Sequence, residues 1–398
     1  MIGDSRWRAI RRTGPWVGAA LAALVFVFYL AGGWYFSGMI DDRALDGESR
    51  RAALEPDYDL EIVGTGARTL TLRVPEDPGS LTKEGVFGIR WASGYGRLGA
   101  IRELAGSRVV RAFELVEGAA PEAGTPAELD SRAFRGDPGA VGLTFEDVTF
   151  EGELGDHPAW FVPGSRNTWV VLVHGNSMTR EDGLRMLSIV SEQGFPALLI
   201  SYRNAPGAPE DPSGKLRYGL TEWRDLESAV RYALEEGARD VILVGFSMGG
   251  GIVVSFLERS PQANAVRAAV LEAPMLDFSR TVDLNAAREE LPLIGLGVPS
   301  SLTAVAKWMA GIRFDVGWGE LDYLAAADGL DAPILLIHGT EDLDVPIETS
   351  EELAAARPDL VTFVRVSDAA HMEAWNVDPD AYAETVVAFL REVSGPSG

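Results

Sequence analysis

The chain has 398 residues, no cysteine, four histidines and a net charge of −24. This length exceeds one average domain, and the lack of cysteine excludes disulfides, thiol nucleophiles, cysteine-based zinc sites and iron–sulfur clusters. The negative charge, with only three lysines and no basic stripe, argues against nucleic acid as a partner. The histidines show no paired metal-ligand spacing, so we expect no metal site.

The first predicted element is a transmembrane helix over residues 13–40. This segment has no charged residue, and its central part, from Val17 to Phe36, is almost wholly aliphatic or aromatic. An apolar run of this length is long enough to span a bilayer. Trp16 and Trp34, near its two ends, are typical of residues that anchor a helix at the membrane interface.

Charges on the two sides of this helix predict its orientation. Four arginines precede it, and Asp41 and Asp42 follow it directly. By the positive-inside tendency, we expect residues 1–12 to be cytoplasmic and the large domain to lie outside the cytoplasm. The alternative is a signal peptide cleaved near Ala31-Gly32-Gly33, which would release a secreted protein.

Residues 41–58 are charged and predict a short tether, and residues 59–140 predict a small β-rich accessory domain. The Pro-, Ala- and Gly-rich stretch Glu117–Ala140 within it predicts a loop or linker. No group of residues in this region suggests chemistry. Three segments are strand candidates because of their alternation or β-type composition: Thr69–Val74, Val86–Trp91 and Val109–Val116.

Predicted strands and helices alternate from residue 141 to residue 393. This alternation predicts an α/β fold, with a mostly parallel sheet covered by helices on both faces. An insertion at about residues 275–330 is much longer than ordinary connections in such folds. Its apolar residues either pack a crossover helix and loop or form a cap that lines an acyl-binding cleft. They are Leu291, Leu293, Ile294, Leu296, Val298, Trp308 and Met309.

A G-x-S-x-G sequence centred on Ser247 is the most informative motif. The apolar segment Val241–Val244 precedes it, and residues with the spacing of a buried helix follow it. The order of strand, turn and helix predicts a nucleophile elbow, in which the serine projects above the sheet. Gly245 and Gly249 fit this turn, because the sharp reversal leaves no room for Cβ atoms.

A serine nucleophile needs a base to take its proton and an acid that holds the base in one tautomer. His371 is the candidate base, because it is the only histidine after a carboxylate-rich loop that follows a buried strand. Asp342 on that loop is the candidate acid. Glu341 and Asp344 are competitors that spacing alone does not exclude.

The negative charge that develops during acyl transfer needs two N–H donors. We expect one from the backbone of Met248, directly after the nucleophile, and the other from Asn176, with Ser177 as the alternative. His174 and His338 each follow a buried strand directly, and we expect both to have structural roles.

Four sequence blocks together resemble the α/β-hydrolase family, most closely its Bem46-like or prolyl-oligopeptidase-like serine hydrolases. The blocks are His174-Gly175-Asn176, Gly245-Phe246-Ser247-Met248-Gly249-Gly250, Gly339-Thr340-Glu341-Asp342 with Val345-Pro346, and Ala370-His371. The resemblance covers residues 141–393 and implies an α/β-hydrolase fold. It implies that Ser247 is the nucleophile, His371 the base and Asp342 the acid, since the family's aspartate lies three residues before Val-Pro. Asn176 and Met248 correspond to the oxyanion hole.

The resemblance further implies a serine hydrolase that needs no cofactor. The expected activity is that of a carboxylesterase or acyl hydrolase, which acts through an acyl-enzyme on a small-molecule or lipid-like acyl substrate. Two alternatives stay open, because one fold hosts many activities. One is a peptidase of the prolyl-oligopeptidase-like type, and the other is a catalytically silent, membrane-tethered interaction module.

Overall fold

The computed structural model describes residues 4–292 and 294–394, with the backbone alone described for residues 4–15 and 17. Two parts of the sequence predictions therefore lie outside the described residues. These are residues 1–3 of the predicted cytoplasmic segment and Leu293 of the insertion.

The first described element is a long helix, α1 (Asp4–Ile40), which continues through a π-helical turn, Asp41–Leu45, towards the short helix α2 (Gly47–Ala52). Among the described residues, α1 holds the one segment that is long and apolar enough to cross a membrane. Its residues 18–28 are exposed on all sides, whereas the part after Phe28 begins to contact the rest of the chain.

Six antiparallel strands then form a closed barrel, in the order β1-β2-β5-β4-β3-β6, with β6 paired to β1. The strands are β1 (Leu60–Thr65), β2 (Thr69–Arg73), β3 (Phe87–Trp91), β4 (Gly94–Ala105), β5 (Arg108–Gly118) and β6 (Thr125–Asp130). Alternate side chains such as Leu70, Leu72, Phe87 and Ile89 fill its interior. This barrel confirms the predicted small β-rich accessory domain.

Strand β6 corrects the prediction of a loop at Glu117–Ala140. It closes the barrel by pairing with β1 on one side and β3 on the other. Its sequence hides this role, because only Ala127 and Asp130 are buried and Pro126 lacks a backbone donor. Long-range pairing therefore decides the conformation of a segment with a weak local pattern.

An eight-stranded sheet forms the second part of the molecule, in the order β14-β13-β12-β11-β9-β10-β8-β7. Strand β8 is antiparallel to both β7 and β10, and all other neighbours are parallel. The strands are β7 (Glu146–Gly152), β8 (Gly155–Val162), β9 (Thr168–Val173), β10 (Ala197–Ile200), β11 (Asp240–Phe246), β12 (Val266–Glu272), β13 (Ile334–Gly339) and β14 (Val361–Val366).

Helices cover both faces of this sheet. Successive residues of β9 point to opposite sides, so that Val171 packs with α4 (Trp223–Glu235) and α5 (Met248–Arg259), and Leu172 packs with α3 (Leu184–Glu192). The other helices are α6 (Phe278–Ala286), α7 (Ser300–Phe314), α8 (Ile347–Ala356), α9 (Ala374–Val377) and α10 (Pro379–Ser394). The layers confirm the predicted α/β-hydrolase fold. Helices α6 and α7 belong to the predicted insertion.

Candidate active site

Ser247 lies between β11 and α5, on the turn predicted as a nucleophile elbow. Its backbone has φ 51° and ψ −117°, a conformation that costs a non-glycine residue on the order of 1–3 kcal/mol. A Cβ atom on Gly249 would lie 2.2 Å from the carbonyl oxygen of Val173, and one on Gly245 would lie 2.7 Å from that of Gly249. Glycine at both positions therefore permits the turn to pack against the sheet.

Three side chains from separate loops meet at this turn. Ser247 Oγ lies 2.9 Å from Nε2 of His371, and Nδ1 of His371 lies 2.7 Å from Oδ2 of Asp342. The three loops follow β11, β14 and β13, and the carboxyl ends of parallel strands lie at one edge of a sheet. The structure thus brings the predicted nucleophile, base and acid together in hydrogen-bonding order.

The surroundings of Asp342 and His371 favour a charged carboxylate beside a basic imidazole. Burial alone would raise the pKa of Asp342, but hydrogen bonds from His338 and His371 hold it well below its usual value. Burial alone would lower the pKa of His371, but the hydrogen bond and the negative charge of Asp342 outweigh this effect and raise it. The carboxylate can therefore stabilise an imidazolium formed when the serine loses its proton.

Asp342 is held by more than the imidazole of His371. Its Oδ1 accepts backbone N–H groups from Asp344 at 2.9 Å and Val345 at 2.8 Å. Its Oδ2 also lies 3.1 Å from Nε2 of His338, whose Nδ1 lies 2.7 Å from the Ser350 hydroxyl. A carboxylate only accepts, so Nε2 carries the proton and the hydroxyl donates to Nδ1. His338 therefore helps to hold the carboxylate of Asp342 in place, a contact that the sequence does not predict.

The two competing carboxylates have other partners. Asp344 forms an ion pair with Arg288 at 3.1 Å, and Glu341 forms one with Lys83 of the accessory region at 2.6 Å. Both carboxylate side chains are about half exposed, whereas that of Asp342 is buried. The structure therefore brings Asp342, and neither competitor, to the imidazole of His371.

His174 packs behind the site as a neutral ring. It stacks on Tyr202 with ring centroids 4.3 Å apart, and Nδ1 lies 2.9 Å from the carbonyl oxygen of Gly175. Burial lowers its pKa to about 4, which keeps it neutral near pH 7. In the part of the chain that the structure describes, no three histidine, aspartate or glutamate side chains are grouped as a metal site.

The two predicted oxyanion donors line the same cavity as the serine. Met248 is the first residue of α5, so its N–H has no partner within the helix. Asn176 follows β9, and its side chain accepts from Arg50 Nε at 3.0 Å and donates to the Tyr218 hydroxyl at 2.7 Å. The neighbouring Ser177, the alternative donor, has φ 54°.

A cavity of about 650 Å³ lies over Ser247 and His371. The insertion contributes a large part of its wall, through residues that include Phe278, Thr281, Val282, Val298, Thr303 and Ala306. The last turns of α1 contribute Phe36, Met39 and Ile40. Parts of the insertion thus line the cavity, as the cap alternative predicts. Of the apolar residues named for that alternative, however, only Val298 is among the described residues of the wall.

The barrel contacts the loop that follows His371. Ser80 donates to the buried carboxylate of Glu373, at 2.7 Å from both of its oxygens. Asn376 donates to the carbonyl oxygens of Val86 at 2.7 Å and Ser131 at 2.6 Å. The accessory region thus helps to fix the backbone next to the candidate base.

Comparisons with known proteins agree with this architecture. The sequence profile of the Alpha/beta hydrolase family matches residues 170–385, more than half of the chain. The Escherichia coli protein YfhR is 23% identical over 278 residues, which cover 67% of this chain and 86% of that protein. The human protein ABHD12B is 26% identical over 217 residues, which cover 51% of this chain and 54% of that protein.

Among solved structures, the Pyrococcus furiosus esterase Pf2001 has a similar fold. It aligns with a TM-score of 0.53 and 19% sequence identity over 66% of this chain and 97% of that one. The match of the family profile, together with the order of strands in the sheet, shows that the chain belongs to the Alpha/beta hydrolase family.

Proposed function

We propose that this hydrolase is a serine esterase that cleaves acyl esters or related acyl compounds. The hydrogen-bonded series from Ser247 through His371 to Asp342 carries the proposal, because it supplies a nucleophile, a base and an orienting acid. Membership of the hydrolase family and the esterase among its structural neighbours support the same chemistry.

The proposed reaction has two halves that share one imidazole. Nε2 of His371 takes the proton of Ser247 as the serine oxygen bonds to the substrate carbonyl carbon. The tetrahedral intermediate then breaks its bond to the leaving alcohol, which receives the proton from His371. Water attacks the acyl-enzyme with His371 again as base, which releases the carboxylic acid and restores the serine hydroxyl.

The backbone N–H groups of Met248 and Asn176 would stabilise the oxyanion of the intermediates. The N-terminus of α5 adds a favourable dipole at this position. Arg50 and Tyr218 hold the side chain of Asn176 before any substrate arrives, so this donor is preorganised.

The cavity favours a small-molecule or lipid-like acyl substrate. Its volume of about 650 Å³ suits a ligand of moderate size. Apolar side chains such as Met275, Phe278 and Val282 line it close to the serine and offer burial to an acyl chain. Since the net charge is −24, nucleic acid would be repelled.

We further propose that α1 anchors the protein in a membrane, with residues 1–12 in the cytoplasm and the catalytic domain outside it. The arginines before the helix and the aspartates after it support this orientation. Retention of the helix is supported by its packing, because Gly32 and Gly33 lie against the side chains of Leu302 and Val305 on α7. Cleavage near Gly33 would remove these contacts.

Protease accessibility tests the orientation. Protease added to intact cells or spheroplasts should digest the large domain, because that domain lies outside the cytoplasm. Digestion only after the cells are permeabilised would indicate the opposite orientation. Recovery of a soluble domain that lacks α1 would indicate a cleaved signal peptide.

A substrate panel tests the activity. The full chain in detergent should hydrolyse p-nitrophenyl esters of rising acyl length, and Ser247→Ala should reduce the rate to background. Ser107→Ala, at an exposed turn of the barrel, is the matched control and should retain activity. Faster hydrolysis of aminoacyl-anilides than of esters would indicate a peptidase and contradict the esterase proposal. If neither series were hydrolysed, the catalytically silent interaction module would be favoured.

A further inference from the structure

The insertion carries a long uncharged surface next to the N-terminal helix. Residues 291–306 contain no charged residue, although 24% of the residues in the chain are charged. Much of this segment is exposed rather than buried, and Ile294 and Leu296 have 60% and 61% of their surface accessible. An apolar surface that faces outward in this way marks a contact with a partner or a membrane.

The exposed face of α7 continues this surface. Ala304, Trp308 and Ile312 are spaced at four-residue intervals, so they lie on one face of the helix. All three are exposed, with 62% of Trp308 and 67% of Ile312 accessible. The charged side chains of α7, Lys307 and Arg313, instead bind Asp283 and α1 respectively. The outward face is therefore free of charge.

Helix α7 is fixed directly to the membrane-spanning candidate. The Tyr29 hydroxyl lies 2.7 Å from Ser301 Oγ, and Arg313 donates to the carbonyl oxygen of Trp34 at 2.7 Å and to Ser37 Oγ at 2.5 Å. The guanidinium carbon of Arg313 also lies 3.7 Å from the centre of the Trp34 ring. The N-terminal end of α7 therefore lies beside Tyr29 and its C-terminal end beside Trp34.

The length of α1 decides where the bilayer must lie. At 1.5 Å per residue, the uncharged part of α1 before Tyr29, from Thr13 to Phe28, is only about 24 Å long, whereas the hydrocarbon core is about 30 Å thick. A helix that spans the core must therefore include residues 29–34, which contact α7. Tyr29 lies about 8 Å deeper along the helix than Trp34, a residue type that favours the interface.

We propose that the cap is seated in the outer leaflet, and that the substrate is a lipid ester drawn laterally from the bilayer into the cavity. The face Ala304, Trp308 and Ile312, together with Ile294 and Leu296, contacts the lipid acyl chains. This proposal rests on the proposed esterase function and on α1 as a membrane span. The occupant of the exposed apolar surface is thus a lipid bilayer rather than a protein.

The wall of the cavity matches an amphipathic substrate. Its α1 and α7 side is formed by uncharged residues, namely Phe36, Met39, Ile40, Thr303 and Ala306. Charged residues of the wall come from other segments of the chain, and they are Arg43, Arg50, Arg288, Glu289 and Asp344. An acyl chain would lie against the first group, which adjoins the membrane, with polar parts of the lipid near the second.

The absence of native cysteine allows a direct test of membrane contact. Single cysteines introduced as Ala304→Cys and Ile312→Cys in the full chain would carry a bimane dye, and the protein would be reconstituted into phospholipid nanodiscs. Lipids brominated in their acyl chains should quench both dyes. Phe26→Cys on the free part of α1 is the positive control, and Ser107→Cys on the barrel is the negative control.

Equal quenching at Ala304→Cys, Ile312→Cys and Ser107→Cys would overturn the proposal. So would reaction of the α7 cysteines with a membrane-impermeant maleimide as fast as Ser107→Cys reacts. Quenching does not require enzymatic turnover, so it tests the membrane contact of α7 even if the protein is not an esterase.

Kinetics test the lateral route separately. The double variant Trp308→Glu with Ile312→Glu places charges on the proposed lipid contact, which is unfavourable in hydrocarbon. We expect hydrolysis of a long-chain ester in phosphatidylcholine vesicles to fall by about tenfold or more, with a soluble short-chain ester changed by less than about twofold. Equal effects on both substrates would contradict the route. Failure of the unmodified chain to hydrolyse either ester would instead refute the esterase proposal.

Discussion

At the scale of single residues, the environment of His371 sets the pH dependence of the proposed reaction. A base must be unprotonated, and the pKa of His371 is raised above its ordinary value of 6.5. We therefore expect kcat/KM to rise with pH through an apparent pKa above 6.5 and then to stay constant. A profile that is flat from pH 5 to pH 8 would contradict this assignment.

Replacing the acid tests the same pair. Asp342→Asn removes the charge that raises the pKa of His371 and leaves the effect of burial, which lowers it. We expect the apparent pKa of the pH–rate profile to move down and kcat to fall by about 10⁴-fold. Asp344→Asn, which removes an exposed ion pair, should cost less than about tenfold. If kcat fell further in Asp344→Asn than in Asp342→Asn, the proposed assignment of Asp342 as the acid would be wrong.

His338 offers a separate prediction. His338→Leu removes an N–H donor from Oδ2 of Asp342 and leaves His371 as the remaining side-chain donor to this atom. We expect kcat to fall by about tenfold, since the acid is less firmly oriented. The apparent pKa of the base should rise, because Asp342 then accepts one hydrogen bond fewer. His338→Asn can still donate a hydrogen bond, so it should retain more of the rate than His338→Leu. An unchanged pH profile in His338→Leu would mean that His338 only packs against its neighbours.

At the scale of elements, the elbow turn depends on close contact between two backbones. A Cβ atom in Gly249→Ala would lie 2.2 Å from the carbonyl oxygen of Val173. We expect a loss of more than about 3 kcal/mol in the free energy of unfolding, seen as a lower thermal transition. The matched control is Gly311→Ala in α7, where the nearest atom lies 3.4 Å from the new Cβ. A similar transition temperature for both variants would contradict this account of the turn.

The sequence predicts those elements whose signals are local. The predicted strand Val86–Trp91 is β3 (Phe87–Trp91), one residue shorter, and the turn at Ser247 lies where G-x-S-x-G predicts it. Strand β6 was missed because its pairing with β1 and β3 is long-range and its own pattern is weak. The role of His338 was missed for a related reason. Its spacing of four residues from Asp342 is visible in the sequence, but the direction of its ring depends on Ser350.

At the scale of the whole molecule, the barrel stabilises the loop of the base. Asn376→Ala removes two hydrogen bonds to carbonyl oxygens of Val86 and Ser131. We expect faster amide hydrogen exchange in residues 369–377 and a loss of about tenfold in kcat, because small displacements of a catalytic group are costly. Ser107→Ala, in an exposed barrel turn that takes no part in these hydrogen bonds, is the control. If Asn376→Ala left both the hydrogen exchange and kcat unchanged, the barrel would have no influence on the loop that carries His371.

The arrangement of helix, barrel and sheet could not be read from the sequence. Each part has its own local pattern, but the contact of Tyr29 with Ser301 joins residues 272 positions apart. The insertion was recognised by its length, whereas its position over Ser247 depends on how α6 and α7 pack. The structure therefore adds the contact between α1 and the wall of the cavity, on which the proposed lateral route for a lipid substrate depends.

The central claim is that Ser247 is the nucleophile of a serine hydrolase. Reaction of the folded full chain with a fluorophosphonate probe, followed by digestion and mass spectrometry, tests it most directly. We expect one covalent adduct on the peptide that contains Ser247, no adduct in Ser247→Ala and an unchanged adduct in Ser107→Ala. Failure of the folded chain to react, or an adduct that persists in Ser247→Ala, would contradict the claim.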